Sequence, residues 1–108
     1  DYQTALDKFS MLHLKGAPKN TIENILYWTA DSYQQMGQYE KALSLLNKIT
    51  VTGGLRIDDA LVKKGLLHRR MGNESLAIIA FGNVVSQYPE SEYFRLAKME
   101  LKKVDGIQ

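Results

Sequence analysis

Tyr33-Gln34-Gln35-Met36-Gly37-Gln38-Tyr39-Glu40-Lys41-Ala42 is answered, thirty-five positions later, by His68-Arg69-Arg70-Met71-Gly72-Asn73-Glu74-Ser75-Leu76-Ala77. Met36-Gly37 and Met71-Gly72 fall in register, as do Ala42 and Ala77. Leu46 then matches Phe81, Ile49 matches Val84 and, upstream, Ala30 matches Gly65. Self-similarity at a fixed period of this size marks a repeat architecture, in which each unit buries its apolar face against a neighbour. Half of the same unit stands at the N-terminus, where Tyr2, Ala5 and Phe9 have the spacing of Tyr39, Ala42 and Leu46.

The unit reads as a helical hairpin. Ile25, Leu26, Trp28, Thr29, Ser32 and Tyr33 carry a helical apolar stripe up to Gly37, and glycine ends a helix because it enters the left-handed region at low cost. A second helix is expected from about Tyr39 to Ile49, with Ala42, Leu43, Leu45, Leu46 and Ile49 at three- and four-residue steps. Small residues at 30 or 65 and at 42 or 77 allow close approach of paired helices, and Trp28, Tyr33 and Phe81 fill the space around them. Trp28, the single tryptophan, is therefore expected in the core, with an exposed anchor for a ligand as the alternative. Asn20 and Glu23 have capping-box spacing after Pro18. Thr52-Gly53-Gly54 reads as a loop, with a new helix from near Arg56 or Ile57. Ser91, after Tyr88-Pro89, is placed to cap a last helix from about Glu92 to Val104. The expectation is an all-α chain of about six helices, antiparallel hairpins stacked in a single domain over 1–108. Residues 1–17 would be the second helix of a truncated first repeat, 20–54 and 55–89 two full repeats, and 90–108 a closing helix.

Composition narrows the function. Of 108 residues 44% are hydrophobic and 24% charged, the balance of an ordinary globular domain with a small core. No apolar run is long enough to cross a bilayer. The net charge of +2, from 14 basic and 12 acidic residues, does not point to nucleic acid or to an anionic membrane surface, and no direct insertion in a membrane is expected. The pairs Lys63-Lys64, Arg69-Arg70 and Lys102-Lys103 are expected on solvated faces. Cysteine is absent, which removes disulfides, thiolate nucleophiles and cysteine-based metal sites. The chain opens on Asp1 rather than Met, so a processed product or a piece of a longer protein is expected.

No catalytic constellation stands out, and no enzyme activity, metal or cofactor is expected. His13 and His68 are the only histidines and are not spaced as a metal pair. His68 falls on a position of packed aromatics and His13 near a helix end. Asp58 and Asp59 are adjacent on a helix and point apart, so they complement the helix dipole rather than form an acid pair. Gly53-Gly54 lacks the Lys-Ser/Thr of a phosphate loop.

The pattern resembles the tetratricopeptide repeat family. The third unit matches it at Gly65, Gly72, Ala77, Phe81 and Pro89, with His68 where Tyr is usual. The second matches at Ala30, Tyr33, Gly37, Tyr39 and Ala42, and departs at Leu46 and Gly54. Within that family, Tyr27-Trp28-Thr29-Ala30-Asp31, Asp59-Ala60-Leu61-Val62-Lys63-Lys64-Gly65 and Val84-Val85-Ser86-Gln87-Tyr88-Pro89-Glu90-Ser91 resemble the C-terminal repeat domain of periplasmic Tol-Pal-associated cell division coordinator proteins. The resemblance implies a short right-handed solenoid and a protein–protein interaction module in a multiprotein assembly. It favours a periplasmic or cell-envelope location over the cytoplasm.

In such a solenoid the first helix of each hairpin lines the concave side. That face is expected to present Asn24, Tyr27, Asp31, Gln34 and Gln35 from one hairpin, and Asp59, Val62, Lys63, Leu66, Arg69 and Arg70 from the next. Asn24 and Gln34 suit the backbone of a bound peptide, Tyr27 and Leu66 its apolar side chains, and Lys63, Arg69 or Arg70 a carboxylate. The competing expectation is a structural spacer or self-association domain, since Phe9 and Leu12 of the half-unit lack their usual neighbour and could drive homo-oligomerisation.

Overall fold

The computed structural model describes residues 18–52 and 54–105. These form five helices: α1 (Lys19–Gln35), α2 (Tyr39–Thr52), α3 (Ile57–Arg70), α4 (Glu74–Gln87) and α5 (Phe94–Asp105). The fold is all-α, with no strand among the described residues. The further helix expected over 1–17 lies outside them. The chain divides into two compact units, Asp1–Ile57 and Asp58–Gln108.

The repeat is visible in the turns. At the end of α1 the Gln38 N–H donates to the Tyr33 carbonyl (2.8 Å) and the Gly37 N–H to Gln34 (3.0 Å). At the end of α3 the Asn73 N–H donates to His68 (2.8 Å) and the Gly72 N–H to Arg69 (3.1 Å). Gly37 and Gly72 have φ of 79° and 86°. Both ends are Schellman caps, which need a left-handed residue that glycine supplies without a Cβ clash.

In the first unit α1 packs on α2. The core comes from Leu26, Ala30 and Tyr33 on one helix and Ala42, Leu43, Leu46 and Ile49 on the other. Each large apolar side chain buried here stabilises by roughly 1.5–3 kcal/mol. In the second unit Ala60, Leu61, Val62, Gly65 and Leu67 of α3, Ala77, Ala80, Phe81 and Val84 of α4, and Ala97 of α5 are buried, and α4 packs on α5. The register of thirty-five is a register of burial: Ala42 and Ala77, Leu46 and Phe81, and Ile49 and Val84 are all fully enclosed.

Four local expectations are corrected. Helix α2 continues to Thr52 rather than Ile49, since nothing before Gly53 breaks it. The N-cap of α1 is Pro18 and carries no side-chain cap bond; Glu23 is drawn away from Asn20 by stronger partners described below. The last helix starts at Phe94 rather than Glu92, because Ser91 first closes a turn, its Oγ accepting from the Tyr93 N–H (3.0 Å) and its carbonyl from the Phe94 N–H (3.1 Å). Trp28 is not a core residue: it is 57% exposed, because the buried side of α1 runs through Glu23, Leu26, Thr29, Ala30 and Tyr33.

Candidate functional site

In the first unit the exposed Trp28 is part of a built cluster. The Tyr27 and Trp28 rings meet edge to face, with centroids 5.1 Å apart. The Arg56 guanidinium lies 4.6 Å from the Tyr27 centroid and 5.6 Å from that of Trp28, within range of cation–π attraction to both. Its Nε donates to Asn24 Oδ1 at 2.5 Å. Arg56 is thus held by one residue on α1 and stacked over two others.

Glu23 fixes the backbone that carries Arg56. Its carboxylate, 3% exposed, accepts the N–H groups of Gly54 (2.9 Å), Leu55 (3.1 Å) and Arg56 (2.9 Å). Burial pushes the Glu23 carboxyl up, but the bonds from Arg56, Gly54 and Leu55 and the nearby Lys19 charge outweigh it. The net shift is downward, so the group is an anion at neutral pH.

The second unit repeats the device with different chemistry. Asp58 stands thirty-five residues after Glu23, and Ser91 thirty-five after Arg56. Ser91 Oγ donates to Asp58 Oδ2 at 2.5 Å. Burial, then Asp59, then Glu92, push the Tyr93 phenol up to about 12, so it stays protonated and donates to Asp59. In each unit a carboxylate at the start of the first helix reaches thirty-three residues ahead, past the second helix. A local reading misses this, although the acidic residues at 23 and 58 in register were a visible signal.

Arg69 is engaged inside the second unit. It pairs with Glu74 (Nη2 to Oε2, 2.6 Å) and with the buried Glu100, and its guanidinium lies 5.3 Å from the Phe81 centroid. Lys103 completes the cluster, 2.9 Å from Glu100. The hydrogen bonds that Arg69 donates to Glu74 raise its pKa further, against burial and with help from Glu100.

The other expected site residues fall as follows. Asn24 is exposed, Tyr27 and Asp31 are half-buried, and Asp31 accepts from Gln35 Nε2 at 2.7 Å. Gln34 is half-buried, and its Oε1 has no hydrogen-bond partner among the described residues. Lys63 is half-buried, while Leu66 and Arg70 are exposed. Val62, expected on the binding face, is buried. Asn24 and Tyr27 are thus brought together in the first unit, around Arg56 and Trp28, which were not expected in that group. In the second unit Arg69 is turned to Glu74 and Glu100, whereas Leu66 and Arg70 face solvent.

Among the described residues no group of three or more His, Cys, Asp or Glu could hold a metal ion, and no helix is long and apolar enough to cross a membrane. A family model described as tetratricopeptide repeat matches residues 25–50 and 59–91, more than half of the chain. No curated protein and no solved structure matches it.

Proposed function

Because this chain belongs to the tetratricopeptide repeat family, whose repeats generally mediate protein–protein interaction, we propose that it binds a peptide or protein partner and catalyses no reaction. The observation that carries this reading is the Trp28–Tyr27–Arg56 cluster. Trp, Tyr and Arg are the residues that dominate binding hot spots, and here an exposed indole is backed by a tyrosine ring and a guanidinium fixed by Asn24 and Glu23. Preorganisation of this kind reduces the ordering cost on binding. Asp31 and Gln34 of α1 extend the contact surface in the first unit. Lys63, Leu66 and Arg70 of α3 supply charge and apolar area in the second, with Arg69 held behind them by its carboxylates.

The phrases at 27–31, 59–65 and 84–91 that resemble the periplasmic coordinator proteins support an assembly in a bacterial cell envelope as the setting. Self-association is a second reading, favoured by Leu76 and Ile79, both exposed on α4 one turn apart.

Selection of a random peptide library on the immobilised chain tests the main reading. Peptides enriched on the wild type should lose at least about tenfold in affinity for Trp28→Ala, with the helical melt unchanged. Undiminished capture by the folded variant removes the cluster as the binding site. A concentration-dependent sedimentation coefficient with no peptide enrichment favours self-association.

A further inference from the structure

Helix α5 turns two chemically distinct sides to its surroundings. Ala97 and Glu100 are buried, and Phe94, Leu96 and Leu101 are half-buried. On the opposite side Arg95, Lys98, Met99 and Lys102 are all exposed and fall within an arc of about 100°, over about 10 Å of helix. No acidic residue lies within that arc; Asp105, at the end of the helix, stands about 20° past its Lys98 edge. Lys103, at its border, is taken by Glu100. Among the described residues Arg95, Lys98 and Lys102 join no ion pair; Lys98 rests 5.4 Å from the Phe94 ring centroid.

The helix dipole accounts for Lys102 and Lys103, in the last turn, but not for Arg95 at the first. Helices α2, α3 and α4 carry Glu40, Asp58 with Asp59, and Glu74 in their first turns, as the dipole favours; α1, which opens on Lys19, and α5, which places Arg95 there, carry no acid in theirs. The cationic row is therefore continued against the local electrostatics of its own helix.

We propose that the outer face of α5 is a docking surface for an acidic helical segment of a partner protein. Carboxylates at three- and four-residue steps would meet Arg95, Lys98 and Lys102, and an apolar side chain would cover Met99, which is 60% exposed along one edge of the row. The spacing of the cations matches acidic side chains along one face of a helix. Met99 is the only large apolar side chain on the face, too little to insert into a lipid surface. The arc holds no aromatic ring for stacking single-stranded bases, and the chain's net charge of +2 is small for a nucleic-acid surface. An acidic protein helix is the partner that uses both the charges and the methionine.

Fluorescence anisotropy with a labelled helical peptide, a fourfold repeat of Glu-Ala-Leu-Glu, tests the surface on the whole chain. Binding is expected and should weaken as salt rises from about 50 to about 300 mM. Lys98→Gln with Lys102→Gln, which keeps good helix formers in place, should weaken it at least about fivefold. Arg95→Gln alone, at the other end of the helix, should act in the same direction. Lys41→Gln with Lys48→Gln removes equal charge from exposed positions on α2 and should bind as the wild type does. Absence of binding at low salt overturns the proposal, as does an equal loss in the Lys41/Lys48 variant, which would reduce it to net charge. Stronger capture through the same lysines by phosphatidylglycerol vesicles or by a single-stranded oligonucleotide also overturns it.

Discussion

Phe81 lies so close over Gly65 that a Cβ at position 65 would stand 2.7 Å from two ring carbons. The ring is fully enclosed and has little room to retreat. The first unit has Ala30 and Leu46 in register with this pair, both fully buried. The two repeats thus combine a small and a large residue differently at the same place.

Gly65→Ala should therefore destabilise the chain by about 1–2 kcal/mol, the overpacking cost exceeding the gain of about 1 kcal/mol from alanine's helix propensity. Adding Phe81→Leu, which copies the first unit's combination, should recover stability relative to Gly65→Ala alone. Urea denaturation of the three variants measures this. A double variant weaker than the single one would mean that the ring is not what excludes the methyl group.

Glu23→Gln should cost about 2 kcal/mol at pH 7, since a buried charged acceptor of three N–H bonds is replaced by a neutral one. The folded-state pKa is lowered from the ordinary 4.5. The carboxylate's contribution is therefore complete above that value and lost as pH falls through the lower folded-state pKa. The stability gap between wild type and Glu23→Gln should close on acidification below 4.5. A gap that stays constant down to pH 2 would show that charge on Glu23 does not hold the segment at 54–56.

Glu100, 5% exposed, depends on Arg69 for its compensation. Arg69→Gln should destabilise by roughly 2–4 kcal/mol, because it leaves a carboxylate buried with Lys103 alone. Glu74→Gln removes an exposed partner of the same arginine and should change the melting temperature little. If the two variants melt alike, Arg69 contributes through solvent-exposed pairing only. A functional test that replaces Arg69 needs this control before any loss of binding is assigned to the site.

Trp28 is the sole tryptophan and makes a clean optical probe. Its emission should be that of a largely hydrated indole. The ratio of iodide to caesium quenching should exceed that of N-acetyltryptophanamide, because the Arg56 guanidinium beside the ring attracts anions. Arg56→Gln should lower that ratio. Blue-shifted emission insensitive to either ion would place the indole in the interior.

The hairpins were legible because their signals are local. Gly37 and Gly72 each end a helix within a few residues of the bonds they permit, and Ala42 and Ala77 repeat with the burial period. Trp28 was misread by residue type: it lies about 160° around α1 from Ala30, on the side away from the core, although an aromatic side chain suggested otherwise. Glu23 was misread by spacing. Asn20 offered a capping box three residues away, while the stronger donors wait at 54–56, where no helical pattern can reveal them. Arg69 sits on the expected face of its helix, but Glu100 becomes its neighbour only through the packing of the second unit.

The reach of Glu23 to Arg56 and of Asp58 to Ser91 decides where this chain can be cut. A fragment of the first hairpin ending at Thr52 would strand a buried carboxylate, and one ending between Gly54 and Leu55 would remove two of its three donors. A piece that keeps the Glu23 carboxylate satisfied runs on through Arg56, and one that keeps Asp58 satisfied runs through at least Tyr93. Anyone trimming, swapping or concatenating these repeats should place the junction beyond the residue that answers the carboxylate, not at the end of the helix.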